Sequence, residues 1–140
     1  MVNCPLSLNH KGNLRKRILF QITTLTSAIL VRKSALLEIG GFDENCKFWQ
    51  EYDLTIRLAQ RRPFDMVEDY LLVYRIDETD TNRLTNKYDG WLKNVDYIYS
   101  KYSNLYSRLN YIDKFRVKLL FWKDSSNRAK TAHMNEIWLK

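Results

Sequence analysis

The sequence predicts an α/β domain that continues into a helical extension. The run at 18–31 is rich in Ile, Leu, Thr and Val, the residues that strands favour. Beyond Leu84, apolar residues recur at spacings of three and four, which is typical of amphipathic helices. With 140 residues, 45% of them hydrophobic, the chain can bury a sizeable core.

The first elements are predicted to be a strand and a short helix. The strand-like run is interrupted at 23–27 by Thr and Ser residues, where a turn or a short helix would fit. Ser34 is suited to cap a short helix at 35–39, and Gly40 is suited to end it.

Pro63 separates a longer helix from two short strands. The helix is predicted at about 50–60, where apolar residues follow a helical period. Strands are predicted near 64–67 and 71–74, and a polar loop follows at 76–86.

Three helices are predicted in the second part. The first is indicated by a helical series of apolar residues: Leu84, Tyr88, Trp91, Leu92, Val95, Ile98 and Tyr102. The second extends from Leu105 to Trp122, with basic residues between its apolar ones. The segment at 124–127 is expected to interrupt the chain before a weak third helix.

Charge is distributed unevenly along the chain, whose net charge is +7. Residues 1–37 contain no acid, residues 38–83 are net acidic, and residues 84–140 are net basic. An acidic centre between basic flanks argues against a nucleic-acid interface, so no nucleic-acid partner is expected. The basic flanks would suit an anionic membrane surface or a diphosphate, and ordinary solvated charge is the alternative.

The cysteine and hydropathy patterns exclude several other classes. Cys4 and Cys46 have no CxxC spacing, so two free thiols are predicted, with a disulfide as the alternative. No run reaches the 18 apolar residues that would indicate a transmembrane helix. A cytoplasmic location is predicted, with peripheral attachment at the inner face of the membrane as an option.

The run at 40–58, GGFDENCKFWQEYDLTIRL, contains the main chemical signal. Gly40 and Gly41 can take positive φ, as a helix end and a sharp turn require. Glu51 and Asp53 fall in the first turn of the predicted helix, where anions are favoured. Because a carboxylate held in a cleft can act as a general base, the pattern indicates proton transfer or polyhydroxyl binding.

Three segments together resemble the acceptor-side half of a family 2 glycosyltransferase: TSAILVRKSALLEIGGFDE, WQEYDLTIRLAQ and LLVYRIDETDTNRLTN. The resemblance implies a partial GT-A-like sheet in residues 1–83 and a helical C-terminal extension in residues 84–140. It also implies an inverting hexosyltransferase that moves a sugar from a nucleotide-sugar donor to a glycan or lipid-linked acceptor in polysaccharide biosynthesis.

The resemblance assigns roles to individual residues. Glu51 matches the catalytic base of the family. Asp53 would support that base or bind acceptor hydroxyls, and Arg57 is expected to form an ion pair with it at i, i+4. The predicted acceptor-binding residues are Asp43, Glu44, Trp49, Gln50 and Asp53. Phe48 and Trp49 would offer ring faces to a sugar, with a place in the core as their alternative.

Arg75 and Asp77 are the predicted diphosphate-binding residues. Asp77 stands where the family has a histidine that helps to hold the metal–diphosphate. Arg75 would reach a phosphate or pair with Glu68 or Asp69. A divalent cation, Mg²⁺ or Mn²⁺, is expected from the resemblance, although the metal ligands in this chain are unknown and the main ligand motif is not in it.

The nucleotide-binding half of the family is absent from the predicted domain. We therefore expect the chain alone not to turn over a nucleotide sugar. A different class of function is the alternative: a non-catalytic interaction module, derived from a transferase, that binds a partner protein. The aromatic and basic helical extension would suit a membrane surface or would pack against the missing half.

Overall fold

The computed structural model describes residues 11–22, 24–67, 69, 71–73 and 88–131. Two 3₁₀ helices, Arg17–Phe20 and Thr26–Ala28, come first in this part of the chain. They are followed by α1 (Lys33–Glu38), α2 (Gln50–Ala59), α3 (Tyr88–Lys101), α4 (Ser103–Ser107) and α5 (Tyr111–Thr131). Of the helices described, none combines the length and the hydrophobicity needed to cross a bilayer.

The predicted α/β class, with its partial GT-A-like sheet, is wrong for the described residues, which contain helices and no strand. The predicted strand at 18–31 consists of the two 3₁₀ helices and extended backbone around them, such as Gln21 (φ −147°, ψ 124°). Extended backbone becomes a sheet only when a second segment pairs with it along a ladder. Strand propensity gives a segment its extended shape but does not supply that partner.

The predicted strand at 64–67 forms a single bridge. Gly12 and Phe64 exchange two backbone hydrogen bonds of 2.8 and 2.9 Å, and no ladder continues from them in the described residues. The predicted strand at 71–74 is not present in its described part, 71–73.

The predicted helix at 50–60 is confirmed as α2, and the Gly40–Gly41 turn before it is confirmed as well. Both glycines have positive φ, 78° and 73°. The Gly41 amide donates to the Leu36 carbonyl at 2.9 Å, and the Gly40 amide donates to that of Leu37. These bonds satisfy carbonyls at the end of α1, as in a Schellman-type helix end.

The predicted break at 124–127 is wrong, because α5 continues through it to Thr131. Asp124 accepts a 2.6 Å hydrogen bond from Arg128 one turn later, which supports the helix at this point. Ser125 accepts a 2.9 Å bond from the indole of Trp91, so tertiary contact with α3 also holds it. The break in the chain lies earlier, where the Asn110 side chain caps α5 by accepting from the Asp113 amide.

The core is an aromatic cluster built by both parts of the sequence. Trp49 lies at its centre, with ring centroids 4.6 Å from Trp91, 4.9 Å from Tyr52 and 5.0 Å from Phe121. The same cluster of buried residues extends from Leu14 to Ala129. The helices after residue 84 therefore share one hydrophobic core with the segments before it.

Trp49 has a left-handed backbone conformation, φ 56° and ψ 36°, at the residue before α2. For a residue with a Cβ this conformation costs on the order of 1–2 kcal/mol. Burial of the indole, which is 4% exposed, offsets the cost. Asn94 of α3 adds to the constraint, because it bonds both the amide and the carbonyl of Phe48.

Replacement of Trp91 tests the aromatic core. Trp91 is fully buried and bonds Ser125, so Trp91→Ala is expected to lower the free energy of unfolding by about 3–5 kcal/mol. Urea unfolding followed by circular dichroism measures the change. Trp122→Ala is the control, since Trp122 is 65% exposed and its loss should cost less than about 0.5 kcal/mol. Equal stability of the two variants would contradict the proposed core.

Candidate functional site

A shallow groove of about 500 Å³ lies beside the N-terminus of α2. Its lining residues come from the second 3₁₀ helix, the turn after α1 and the start of α2: Thr26, Phe42, Asp43, Glu44, Cys46, Lys47 and Gln50. Three of the predicted acceptor-binding residues, Asp43, Glu44 and Gln50, are among them. The structure thus brings together polar side chains from separate segments, as a site for a hydroxyl-rich ligand requires.

Glu51, the predicted base, lies at the edge of this groove. Its side chain is half-buried, and Oε2 accepts a 3.3 Å hydrogen bond from the hydroxyl of Thr26, a groove residue. No ion pair between described residues involves Glu51. The carboxylate is therefore neither enclosed by apolar side chains nor bound to a guanidinium.

Asp53 is two residues further along α2 and has a different environment. It is completely buried, and its Oδ2 accepts hydrogen bonds of 3.0 and 2.6 Å from the guanidinium of Arg57. Its Oδ1 accepts from the Lys101 ammonium and the Tyr102 hydroxyl. The predicted i, i+4 ion pair with Arg57 is confirmed. Because each of its two oxygens already accepts two hydrogen bonds, the Asp53 carboxylate has no free acceptor for a ligand. Its role in the site is to hold neighbouring side chains in position.

Lys101 joins this buried carboxylate to the groove. Its ammonium lies between Asp53 on α2 and Asp43 in the turn, and it is an ion-pair partner of both. The Tyr97 hydroxyl also donates to Asp43. Asp43, Asp53, Arg57, Tyr97 and Lys101 form a connected set that we call the carboxylate clamp.

Arg57 extends the carboxylate clamp to the glycine turn. Its Nη1 donates to the carbonyl of Ile39 at 2.8 Å and to that of Gly41 at 2.6 Å. The turn that presents Asp43 and Glu44 is therefore tied to α2 through Arg57 and to α3 through Lys101.

The carboxylate clamp fixes the charges at the back of the groove. Hydrogen bonds from Lys101 and Tyr97 hold the pKa of Asp43 well below its usual value. Burial opposes the charge of Lys101, but its bonds to Asp43 and Asp53 raise the pKa of the ammonium overall. Asp43 is consequently a permanent anion at neutral pH. It can accept hydrogen bonds from a ligand but is too weak a base to remove a proton.

Cys46 lines the groove but is unsuited to nucleophilic chemistry. It is a free, buried cysteine, and its thiol donates to the carbonyl of Phe48 at 3.0 Å. Burial, with a further contribution from the charge of Asp53, raises the pKa of this thiol to about 12. The thiolate needed for attack is therefore negligible at neutral pH.

The other predicted site residues do not lie in the groove. Trp49 and Phe48 are buried, 4% and 6% exposed, and their rings pack against Trp91. The core alternative therefore fits their positions, and neither ring offers a face to a sugar. Arg75 and Asp77 lie outside the described residues.

No metal centre is visible in the part of the chain that the structure describes. There, no group of three or more His, Cys, Asp or Glu side chains is arranged to hold a metal ion. The divalent cation, Mg²⁺ or Mn²⁺, that the resemblance implies stays a prediction.

Sequence reasoning missed Lys101 and Tyr97, which anchor the groove. They lie in α3, more than forty residues after Asp53 and further still from Asp43. No local sequence signal therefore connects them to Asp43.

No family model matches this chain, and no curated protein or solved structure is significantly similar to it. The resemblance to family 2 glycosyltransferases thus remains a prediction from the motifs. The site itself provides a groove with an accessible carboxylate, Glu51, next to the carboxylate clamp.

Removal of the Lys101 ammonium tests the carboxylate clamp. Lys101→Met would leave the buried Asp53 and the partly buried Asp43 without a shared cation, at a cost of about 3 kcal/mol in the free energy of unfolding. Lys93→Met is the control, because Lys93 is exposed on the same helix. A Lys101→Met variant as stable as Lys93→Met would show that the clamp contributes no stability.

The lowered pKa of Asp43 predicts a pH dependence of stability. The unfolded chain takes up this proton near the ordinary value of 3.8, before the folded state does. The stabilisation is hence complete above that value and is lost as the pH falls towards the folded pKa. The difference in unfolding free energy between wild type and Asp43→Asn should be constant from about pH 7 to 5 and shrink below about pH 4.

Chemical denaturation at a series of pH values measures this difference. Asp96→Asn is the matched control, since Asp96 is an exposed carboxylate on α3. A wild-type advantage over Asp43→Asn that persists unchanged to the lowest pH would contradict the assignment.

Proposed function

We propose that this chain provides the catalytic base and the acceptor-binding groove of an inverting glycosyltransferase. The enzyme would transfer a sugar from a nucleotide-sugar donor to a glycan or lipid-linked acceptor in polysaccharide biosynthesis. One observation carries the proposal: Glu51 is an accessible carboxylate with no ion-pair partner among the described residues, at the edge of a polar groove.

The chemistry needs one proton acceptor next to the acceptor hydroxyl. As the hydroxyl oxygen attacks the anomeric carbon, Glu51 takes its proton, and the bond from that carbon to the nucleoside diphosphate breaks. Attack from the side opposite the leaving group inverts the configuration. Glu51 suits this role because its carboxylate is not held by a cation, in contrast to Asp53.

The groove supports the proposal through its donors and acceptors. Thr26, Asp43, Glu44, Lys47 and Gln50 supply hydroxyl, carboxylate, ammonium and amide groups around one concave surface. Such a set can bind the alternating donors and acceptors of a sugar ring. The proposal places the enzyme in the cytoplasm, at the inner face of the membrane when the acceptor is lipid-linked.

A non-catalytic interaction module is the second candidate, and exposed apolar residues favour it. Leu30, Leu71 and Val73 are 99%, 75% and 82% exposed, and the backbone next to Leu30 is extended. An extended segment that presents apolar side chains can add to the sheet of a partner protein.

Replacement of Glu51 separates the two candidates. Glu51→Gln keeps the shape of the side chain and removes the base, so sugar transfer should fall by about 100-fold or more. The variant is introduced into the native gene, and cell extracts are assayed for labelled sugar that moves from nucleotide sugars into glycan and lipid fractions.

Glu44→Gln is the matched control, because Glu44 lines the same groove and is not assigned the proton. It should change transfer by less than about tenfold. Glu51→Gln activity within a few-fold of wild type would exclude Glu51 as the base. The interaction module would then be favoured if the double variant Leu71→Ser, Val73→Ser, introduced into the native gene, abolished the function of that gene in cells.

A further inference from the structure

Helix α5 has an apolar stripe on its solvent side. We call this set of residues the α5 stripe: Tyr111, Ile112, Phe115, Leu119 and Trp122. Their exposed fractions are 86%, 62%, 60%, 45% and 65%, respectively. At 3.6 residues per turn they fall within about 100° of arc and extend over about 16 Å. Val117 and Phe121, on the opposite side of the helix, are buried in the core. The stripe is thus separate from the face that stabilises the fold.

Basic residues line both edges of the α5 stripe. Lys114 and Lys118 lie along one edge, and Arg116 and Lys123 lie along the other; all four are exposed. Among the described residues, Arg116 forms an ion pair with Asp113, whereas Lys114, Lys118 and Lys123 form none. The acids of α5, Asp113 and Asp124, lie on the side of the buried face. The stripe therefore has a cationic border and no anion within it.

A basic pocket of about 530 Å³ adjoins the N-terminal end of the α5 stripe, at Ile112. Four basic residues line it: Lys11, Lys16, Arg17 and Arg116. The one acid of the lining, Asp113, is 3% exposed and already paired with Lys16 at 2.6 Å and with Arg116 at 2.9 Å. The pocket extends the positive surface beyond α5 to the first 3₁₀ helix.

We propose that the α5 stripe docks this protein on an anionic lipid membrane. The helix lies parallel to the surface, with its apolar residues at the boundary between headgroups and acyl chains and its basic edges among the lipid phosphates. Tyr111 and Trp122 are at opposite ends of the stripe, and both residue types favour this boundary.

Charge complementarity selects the membrane over a second copy of the chain. Two α5 stripes placed face to face would bring the lysine edges of both copies together, and like charges in contact disfavour such a pair. An anionic membrane offers the opposite charge to both edges and to the basic pocket at the same time. The proposal goes beyond sugar transfer and does not depend on it, because docking can be measured without any enzymatic activity.

Vesicle sedimentation of the full 140-residue chain tests the proposal. The chain should pellet with vesicles that combine phosphatidylcholine and phosphatidylglycerol, and more weakly with phosphatidylcholine alone. The triple variant Phe115→Ser, Leu119→Ser, Trp122→Ser should bind the anionic vesicles at least about tenfold more weakly. The matched control is Leu37→Ser, Val67→Ser, Leu92→Ser, which removes three exposed apolar residues elsewhere and should bind like wild type.

The basic edges are tested by Lys114→Gln, Lys118→Gln, Lys123→Gln. This variant should bind anionic vesicles about 10- to 100-fold more weakly than wild type. Added salt should also weaken the binding of wild type, because it screens the attraction between the lysines and the lipid phosphates. Three results would overturn the proposal: no pelleting of wild type, equal loss in the stripe and control triples, or a wild-type dimer in solution that the stripe triple abolishes. Circular dichroism of each variant shows that it is folded.

Discussion

The buried carboxylate of Asp53 is the constraint on which the arrangement of the site depends. A charge in this position is tolerated only when it is paired and fully hydrogen-bonded, and Arg57, Lys101 and Tyr102 provide those bonds. Through them α2 is joined to α3, and through Arg57 and Lys101 both helices are joined to the glycine turn. The groove in front of α2 is consequently held in shape by groups that do not themselves face a ligand.

The aromatic core and the carboxylate clamp both contact the start of α2. Trp49 is fixed in a left-handed conformation by rings from α2, α3 and α5, and α2 begins at the next residue. Tyr52 then points into the core and Asp53 into the carboxylate clamp, which leaves Glu51 at the groove. One short run of sequence thereby supplies a core residue, a buried ion pair and an accessible carboxylate.

The accuracy of the sequence predictions follows the range of the interactions involved. The glycine turn, α2 and the Asp53–Arg57 pair depend on residues within a few positions of one another, and all three are confirmed. The sheet was wrong for the described residues because a strand needs a partner that local propensity cannot specify. The break at 124–127 was wrong because Asp124 bonds Arg128 one turn later and because Trp91, more than thirty residues away, bonds Ser125 within α5.

By itself, the sequence determined the positions of the carboxylates, the end of α1, the start of α2 and the amphipathic character of the last helices. Local chemistry was enough for these, since each depends on glycine conformation, helix period or i, i+4 spacing. Only the tertiary structure decided that Asp43 and Asp53 share Lys101, whereas Glu44 and Glu51 have no ion-pair partner among the described residues. That distinction arises from Tyr97 and Lys101 on α3, whose contacts with Asp43 and Asp53 form when the helices pack and leave no trace in local sequence.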